Sequence, residues 1–484
     1  MRGLDPRIHA APQMQLPGFG ANGAAWMTGS SPVMTILGGD KLKLSLDGPK
    51  RVRHIRSLKK TISGGLQAMD ERTLSRRDML VAGAGLVAAG SLSPVFDAQA
   101  VMQGATPMKD VTEFKIAVPQ ARLDYIASRI KDAQWPDVPD GAPWQYGTSG
   151  AAMKDLADYW VAKYDWRARE AAMNRHQHFK AKVDDYEIHF MYEKGSGPNP
   201  QILVMTHGWP GSFVEFLKSI DMLAHPEKFG GKVEDAFTVI CPSIPGFGFS
   251  SKPKKPINSR DVAVLWDKMM TENLGHPSYI TQGGDYGSMI SLWLAAEGKG
   301  CKAVHLNFLL GVGATVVTPE DQAAMKRWGE VYMGEGGYIH IQSTKPLTLS
   351  YAMTDSPLGV GAWIFEKMKT WSDTKDGDPW SVYTHDEVLD NIMVYLADNT
   401  FGTASWMYAG AGTAPSVPPD KITKPTAIAH FPGELVFWPR SYAERHFNLV
   451  QWTDMPHGGH FAAMEQPRLF ADDVLAFGKK VRGA

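Results

Sequence analysis

Ser278-Tyr279-Ile280-Thr281-Gln282-Gly283-Gly284-Asp285-Tyr286-Gly287 runs into Ser288-Met289-Ile290-Ser291-Leu292-Trp293-Leu294. Residues 278–282 read as a short buried strand, and the apolar spacing after Gly287 is helical. A strand, a sharp turn of small residues and a helix form a nucleophile elbow, which pushes the central side chain out over the sheet edge. Glycines flank the centre because the turn is strained and the helix that follows packs close to it. A bare G-x-D-x-G arises readily by chance in a chain with 48 glycines, so the motif counts only if its partners stand in the right places.

The centre of this elbow is an aspartate where many hydrolases carry a serine. The attacking atom is then a carboxylate oxygen, which makes an ester with an alkyl carbon. That chemistry suits epoxides and alkyl halides better than peptides or esters.

Composition sets wide bounds. The chain has 484 residues, 44% hydrophobic and 10% aromatic, enough for a large core and more than one typical domain. Two cysteines, Cys241 and Cys301, are too few for a disulfide framework and lie in or beside apolar runs, as buried thiols do. No Cys/His cluster has zinc spacing. The formal charge of −1 hides an asymmetry: residues 1–100 carry 13 Lys+Arg against 7 Asp+Glu, and the remainder 37 against 44. A mildly acidic body argues against nucleic acid as a partner.

Ser75-Arg76-Arg77-Asp78-Met79-Leu80, a short Gly/Ala-rich apolar run and Ala98-Gln99-Ala100 together fit a twin-arginine export signal over residues 69–100. The expected location is therefore periplasmic or secreted. The apolar run is too short to be a stable membrane anchor. Residues 1–68 read as a leader with little structure, and Met69 as a sensible start.

From residue 111 the chain becomes patterned. Val111 to Pro119 is strand-like, and Gln120 to Lys131, Met153 to Tyr164 and Trp166 to Met173 have helical periodicity; Tyr186 to Tyr192 alternates like a strand. Residues 108–200 are thus expected as a small lead domain or a wrap around the main one. Continuous apolar strands follow at Gln201 to Thr206, Phe237 to Cys241, Tyr279 to Thr281 and Ala303 to Leu306. Two more stand late, at Thr426 to Ala429 and Leu449 to Trp452. Helical stretches alternate with them, which predicts a doubly wound α/β core over 201–312 and 416–484. Between them, 313–415 is helical and rich in Trp, Tyr and Met, and reads as a cap over the strand carboxyl ends. Gln466 to Val481 is an amphipathic closing helix.

Three pieces support the elbow. His207-Gly208-Trp209-Pro210-Gly211-Ser212 follows the first buried strand, where the α/β-hydrolase fold takes one oxyanion N–H; Trp209 and the residue after the nucleophile, Tyr286, are the predicted donors. Pro456-His457-Gly458-Gly459-His460-Phe461 follows the last strand, where the base belongs, and spacing alone leaves His457 and His460 both open. Glu434, in Phe431-Pro432-Gly433-Glu434, follows the penultimate strand and is the expected acid; Asp454 is the rival, after the last strand.

These residues resemble the microsomal-type epoxide hydrolases, α/β-hydrolases with an N-terminal epoxide hydrolase domain. The likeness runs from about Val111 to the end through Asp165-Trp166-Arg167, Ile188-His189-Phe190, His207 to Phe213 and Pro245-Gly246-Phe247-Gly248-Phe249-Ser250. It continues through the elbow, Gly337-Tyr338-Ile339-His340-Ile341-Gln342, Asp355-Ser356-Pro357, Phe431 to Glu434 and Gly458 to Phe461. The resemblance selects His460 over His457. It also implies two cap tyrosines on the epoxide oxygen, Tyr338 and, in Ser405-Trp406-Met407-Tyr408, Tyr408; by periodicity alone both are core aromatics. It implies a small-molecule epoxide substrate and no metal or organic cofactor, and it leaves homo-oligomerisation open. Mammalian relatives carry a membrane anchor where this chain has an export signal.

Two other readings use the same residues. A haloalkane dehalogenase would share Asp285 and His460 but need halide donors in place of paired tyrosines, and a non-catalytic hydrolase-fold binding protein would be free to lose a member of the trio. A serine esterase fits least, because Ser288 lies in the helix.

Overall fold

The long apolar runs become the middle of one nine-stranded sheet in the computed structural model, which describes residues 108–483 apart from 142 and 312–315. The expected leader and export signal, residues 1–100, lie outside the described residues. The strands are β1 (Val111–Phe114), β2 (Gln177–Val183), β3 (Tyr186–Glu193), β4 (Gln201–Thr206), β5 (Phe237–Pro242), β6 (Tyr279–Gly283), β7 (Cys301–Leu306), β8 (Ile422–His430) and β9 (Phe447–Asp454). Their order is β1-β2-β3-β5-β4-β6-β7-β8-β9. From β5 to β9 every pairing is parallel. β5 and β6 are buried along their whole length, as strands covered on both faces must be. Cys241 on β5 and Cys301 on β7 are buried and free.

The lead segment is joined to this sheet. β1, β2 and β3 form an antiparallel meander, and β3 pairs antiparallel with β5, which extends the core sheet at that edge. β2 was not anticipated from the sequence. Its alternation is weak, and the turn to β3 uses Asp184 at φ 50° in place of a glycine. The segment's helices meet the cap. Arg122 donates twice to the Leu396 carbonyl (2.9 and 2.7 Å), and Arg169 and the Tyr164 hydroxyl both bond the buried Asp390 carboxylate (2.6 and 2.9 Å). The lead segment is therefore both a sheet extension and a clasp on the cap.

The cap consists of helices between β7 and β8. They include Pro319–Glu335, Gly337–Thr344, Pro346–Asp355, Pro357–Thr370, His385–Ala397, Phe401–Ala404 and Trp406–Gly410. The Ser356-Pro357 pair starts one of them: the Ser356 hydroxyl accepts from the Gly359 N–H (2.9 Å) with proline at the first position, where its missing N–H costs nothing. Asp355, beside it, takes hydrogen bonds from Tyr125 and Arg129 of the lead segment (3.0 and 2.6 Å). Among the described residues, no helix is long and apolar enough to cross a membrane.

Candidate active site

The chain direction along the sheet reverses around β4, the place where open α/β sheets bind ligands beyond their strand carboxyl ends. Register aligns those ends. Thr206 of β4 and Leu306 of β7 both pair with Gly283 of β6, Leu306 pairs with Ile428 of β8, and His430 pairs with Asp454 of β9. Trp209, Asp285, Glu434 and His460 follow β4, β6, β8 and β9 of this row.

Asp285 opens the helix Asp285–Glu297 at φ 48°, a left-handed conformation that non-glycine residues seldom adopt. The turn tolerates only hydrogen at two neighbouring positions. A Cβ on Gly287 would lie 1.9 Å from the Thr206 carbonyl oxygen, and one on Gly208 would lie 2.3 Å from Asp285 Oδ1. These close approaches bring the β4 loop against the carboxylate. The Trp209 N–H donates to Asp285 Oδ1 at 2.9 Å, and the Trp209–Pro210 peptide is cis. The Tyr286 N–H, the other expected donor, makes no hydrogen bond to the carboxylate; the Tyr286 side chain lines the cavity edge-on to Tyr408 (ring centroids 5.0 Å).

Asp285 Oδ2 is 3.5 Å from His460 Nε2, and His460 Nδ1 is 2.8 and 3.0 Å from the two oxygens of Glu434. Glu434 is buried and also accepts from the Leu435 N–H (2.8 Å). Burial opposes a charge on His460, but the carboxylates of Glu434 and Asp285 outweigh it and raise its pKa well above the usual imidazole value. The rivals fall elsewhere. His457 is exposed, and Asp454 is an exposed acceptor for His430 Nδ1 and Trp452 Nε1 (2.9 and 3.0 Å).

Tyr338, at the start of Gly337–Thr344, and Tyr408, on Trp406–Gly410, come together over this carboxylate. Their rings stand edge to face at 5.6 Å, and Trp209 stacks parallel to Tyr338 at 5.0 Å. Both tyrosines share with Asp285 and His460 the wall of a cavity of about 170 Å³, whose other lining is mainly apolar or aromatic, Trp371 and Phe308 among it. Burial, with the Asp285 charge, holds the Tyr338 hydroxyl well above the ordinary phenol range, and burial does the same for Tyr408. The site thus offers a pinned carboxylate, an oriented imidazole and two undissociated hydroxyls.

The sequence did not point to Glu465. Its carboxylate is buried and accepts from the backbone N–H groups of Gly459 (2.9 Å) and Phe461 (2.9 Å), the residues on either side of His460. It also accepts from the Asp373 N–H of the cap (2.8 Å), while burial outweighs these donors and pushes the carboxyl up to about 7. A glutamate on the one-turn helix Ala462–Glu465 reads in sequence as an ordinary solvated residue; only the fold turns it inward. Outside the cavity, His176, Glu193 and Asp221 are the described group with metal-ligand proximity. There Glu193 is hydrogen-bonded to His176 Nδ1 (2.9 Å) and His225 Nε2 (3.0 Å).

Comparison with known proteins decides the family. The epoxide hydrolase N-terminus model matches residues 111–216, and the alpha/beta hydrolase fold model matches 201–307. A putative epoxide hydrolase of Stigmatella aurantiaca is 39% identical over 380 residues, covering 77% of this chain and 86% of that protein. The chain belongs to the epoxide hydrolase family. Among its relatives in that family, epoxide hydrolase 1 of Sus scrofa is 34% identical, over 76% of this chain and 88% of that protein. Two solved epoxide hydrolases superpose on it. The Aspergillus niger enzyme does so with a TM-score of 0.69 at 28% identity, covering 78% of this chain and 97% of that one. The juvenile hormone epoxide hydrolase of Bombyx mori gives 0.68 at 30% identity, covering 78% and 95%. In this chain the α/β-hydrolase core carries a helical cap.

Proposed function

We propose that this chain hydrolyses a small-molecule epoxide to a vicinal diol through a covalent alkyl ester on Asp285. The observation that carries this reading is the division of labour on the carboxylate. Oδ1 is held by the Trp209 N–H, and Oδ2 stands 3.5 Å from His460 Nε2, with both residues on the wall of the cavity. Oδ2 attacks an epoxide carbon in line with its C–O bond; as that bond breaks, Tyr338 and Tyr408 hold the oxygen and one of them gives it a proton. His460, oriented by Glu434, then takes a proton from water, and the hydroxide attacks the ester carbonyl. Oδ1 becomes the oxyanion, already at a backbone N–H. Collapse returns the His460 proton to the departing alkoxide, and the proton left on the Asp285 acid restores the tyrosine by way of solvent.

No step calls for a metal or organic cofactor. His460 is flanked by two carboxylates before the reaction and by one after Asp285 is esterified, so esterification lowers its affinity for a proton; a proton it then releases to solvent is regained when the Asp285 carboxylate is set free.

A single turnover in labelled water tests the covalent route. The diol of the first turnover should carry an unlabelled oxygen from Asp285, and the enzyme should gain the label; label directly in the diol sinks the proposal. Halide release from a haloalkane without diol from any epoxide would point to the dehalogenase reading. From Ser75 to Ala100 we also infer twin-arginine export, for which N-terminal sequencing of exported protein should begin at Val101; retention of Arg76-Arg77 in exported protein would overturn it.

A further inference from the structure

We propose that Lys367 is a positioning residue for ring opening: its ammonium, held against Tyr338, offsets the negative charge that gathers on the phenol oxygen as Tyr338 gives up its proton. This rests on the reading of Tyr338 as a proton donor. Lysines ordinarily extend their stems to bring the charge to water. Lys367, on the helix Pro357–Thr370, does the reverse and is only 4% exposed. Its Nζ lies 4.8 Å from the centroid of the Tyr338 ring and 5.8 Å from that of Trp371, within the range in which a cation is drawn to a π face.

The ion-pair partners of Lys367 are Glu366 Oε1 at 2.9 Å and Glu335 Oε2 at 3.5 Å, and Glu335 lines the cavity. Burial and the charges of Asp285, Glu335 and Glu366 oppose loss of the phenol proton, a hydrogen bond with Tyr408 favours it, and Lys367 is the cation that lies over the ring. In the step itself the Asp285 oxygen bonds to carbon, the C–O bond of the epoxide breaks, and the Tyr338 proton passes to the released oxygen. The phenolate so formed stands beside two glutamates. Lys367 is the cation placed to make that charge tolerable there. Hydrolysis of the ester asks nothing of Tyr338, so the effect belongs to the first step alone.

The two steps separate on rapid mixing with styrene oxide, following tryptophan fluorescence for ester formation and decay; Trp209 and Trp371 lie in the site. In K367M, ester formation should slow roughly tenfold or more while ester hydrolysis changes less than about twofold. K367R, which keeps the charge, should recover most of the rate, and K367M/E366Q, which removes one opposing carboxylate, should open the ring faster than K367M. Ester formation in K367M as fast as in the native chain, or both steps slowed alike, overturns the proposal. If K367M does not fold, E366Q decides: with the cation kept and an opposing charge gone it should form ester at least as fast, and slower formation counts against Lys367. Failure of the native chain to form any ester is a different outcome. It removes the covalent reading and this proposal with it.

Discussion

His460 shows how one side chain takes its chemistry from its neighbours. Its pKa is raised by Glu434 and Asp285 against the opposing effect of burial. In Asp285→Asn the neutral amide stands in for the esterified state, and the imidazole should titrate at lower pH than in the native chain. An NMR titration of His460 that found it unchanged or higher would contradict the proposed change of charge. His460→Gln should still form the ester and accumulate it, because ring opening uses Asp285 and the cap tyrosines and not the imidazole; mass spectrometry after mixing with an epoxide should find the adduct. Glu434→Gln keeps the shape but removes the charge, so the adduct should persist there too, for longer than in the native protein.

At the scale of elements, the elbow depends on the approach of β4 and its loop to β6 and the helix that follows. Gly287→Ala would drive a methyl group to 1.9 Å from the Thr206 carbonyl, backbone that cannot swing aside. Destabilisation of about 1–3 kcal/mol or more is expected, with loss of activity, measured by urea unfolding and turnover. A second joint lies where the lead segment clasps the cap. Arg169→Met leaves Asp390, 1% exposed, without its guanidinium partner and should cost about 3–5 kcal/mol. Arg169→Met/Asp390→Asn should recover part of that loss; equal stability of single and double variants would mean that the pair is not what holds the clasp.

For the molecule as a whole, stability in acid follows from buried carboxylates. Asp473 is held below the usual aspartate range: burial opposes this, but His305 (2.9 Å), Thr453 (2.6 Å) and Gln451 (2.9 Å) outweigh it. Asp321 is lowered likewise, by Arg445 and the Val317 and Thr318 N–H groups against burial. A depressed carboxylate contributes stability in full above its unfolded value, near 3.9, and loses it as pH falls through the folded value. The melting temperature should therefore fall below about pH 4, less steeply in Asp473→Asn. His460 acts in the opposite sense: its raised pKa contributes stability in full below about 6.5, lost as pH rises through the folded value.

By itself, the sequence determined the α/β-hydrolase core, because buried parallel strands must be continuous apolar runs and an elbow must be small around its centre. It also determined the chain order Asp285, Glu434, His460, since each follows a strand that periodicity can locate. Tertiary structure decided what periodicity cannot see. It set His460 between Glu434 and Asp285 and left His457 exposed, joined the lead segment to the core sheet through the pairing of β3 with β5, and turned Glu465 and Lys367 inward. It also brought Tyr338 and Tyr408, 70 positions apart on separate cap helices, to one wall with Asp285. A strand or helix writes its own period into the chain, whereas a contact between two cap helices leaves no local pattern and exists only once they pack.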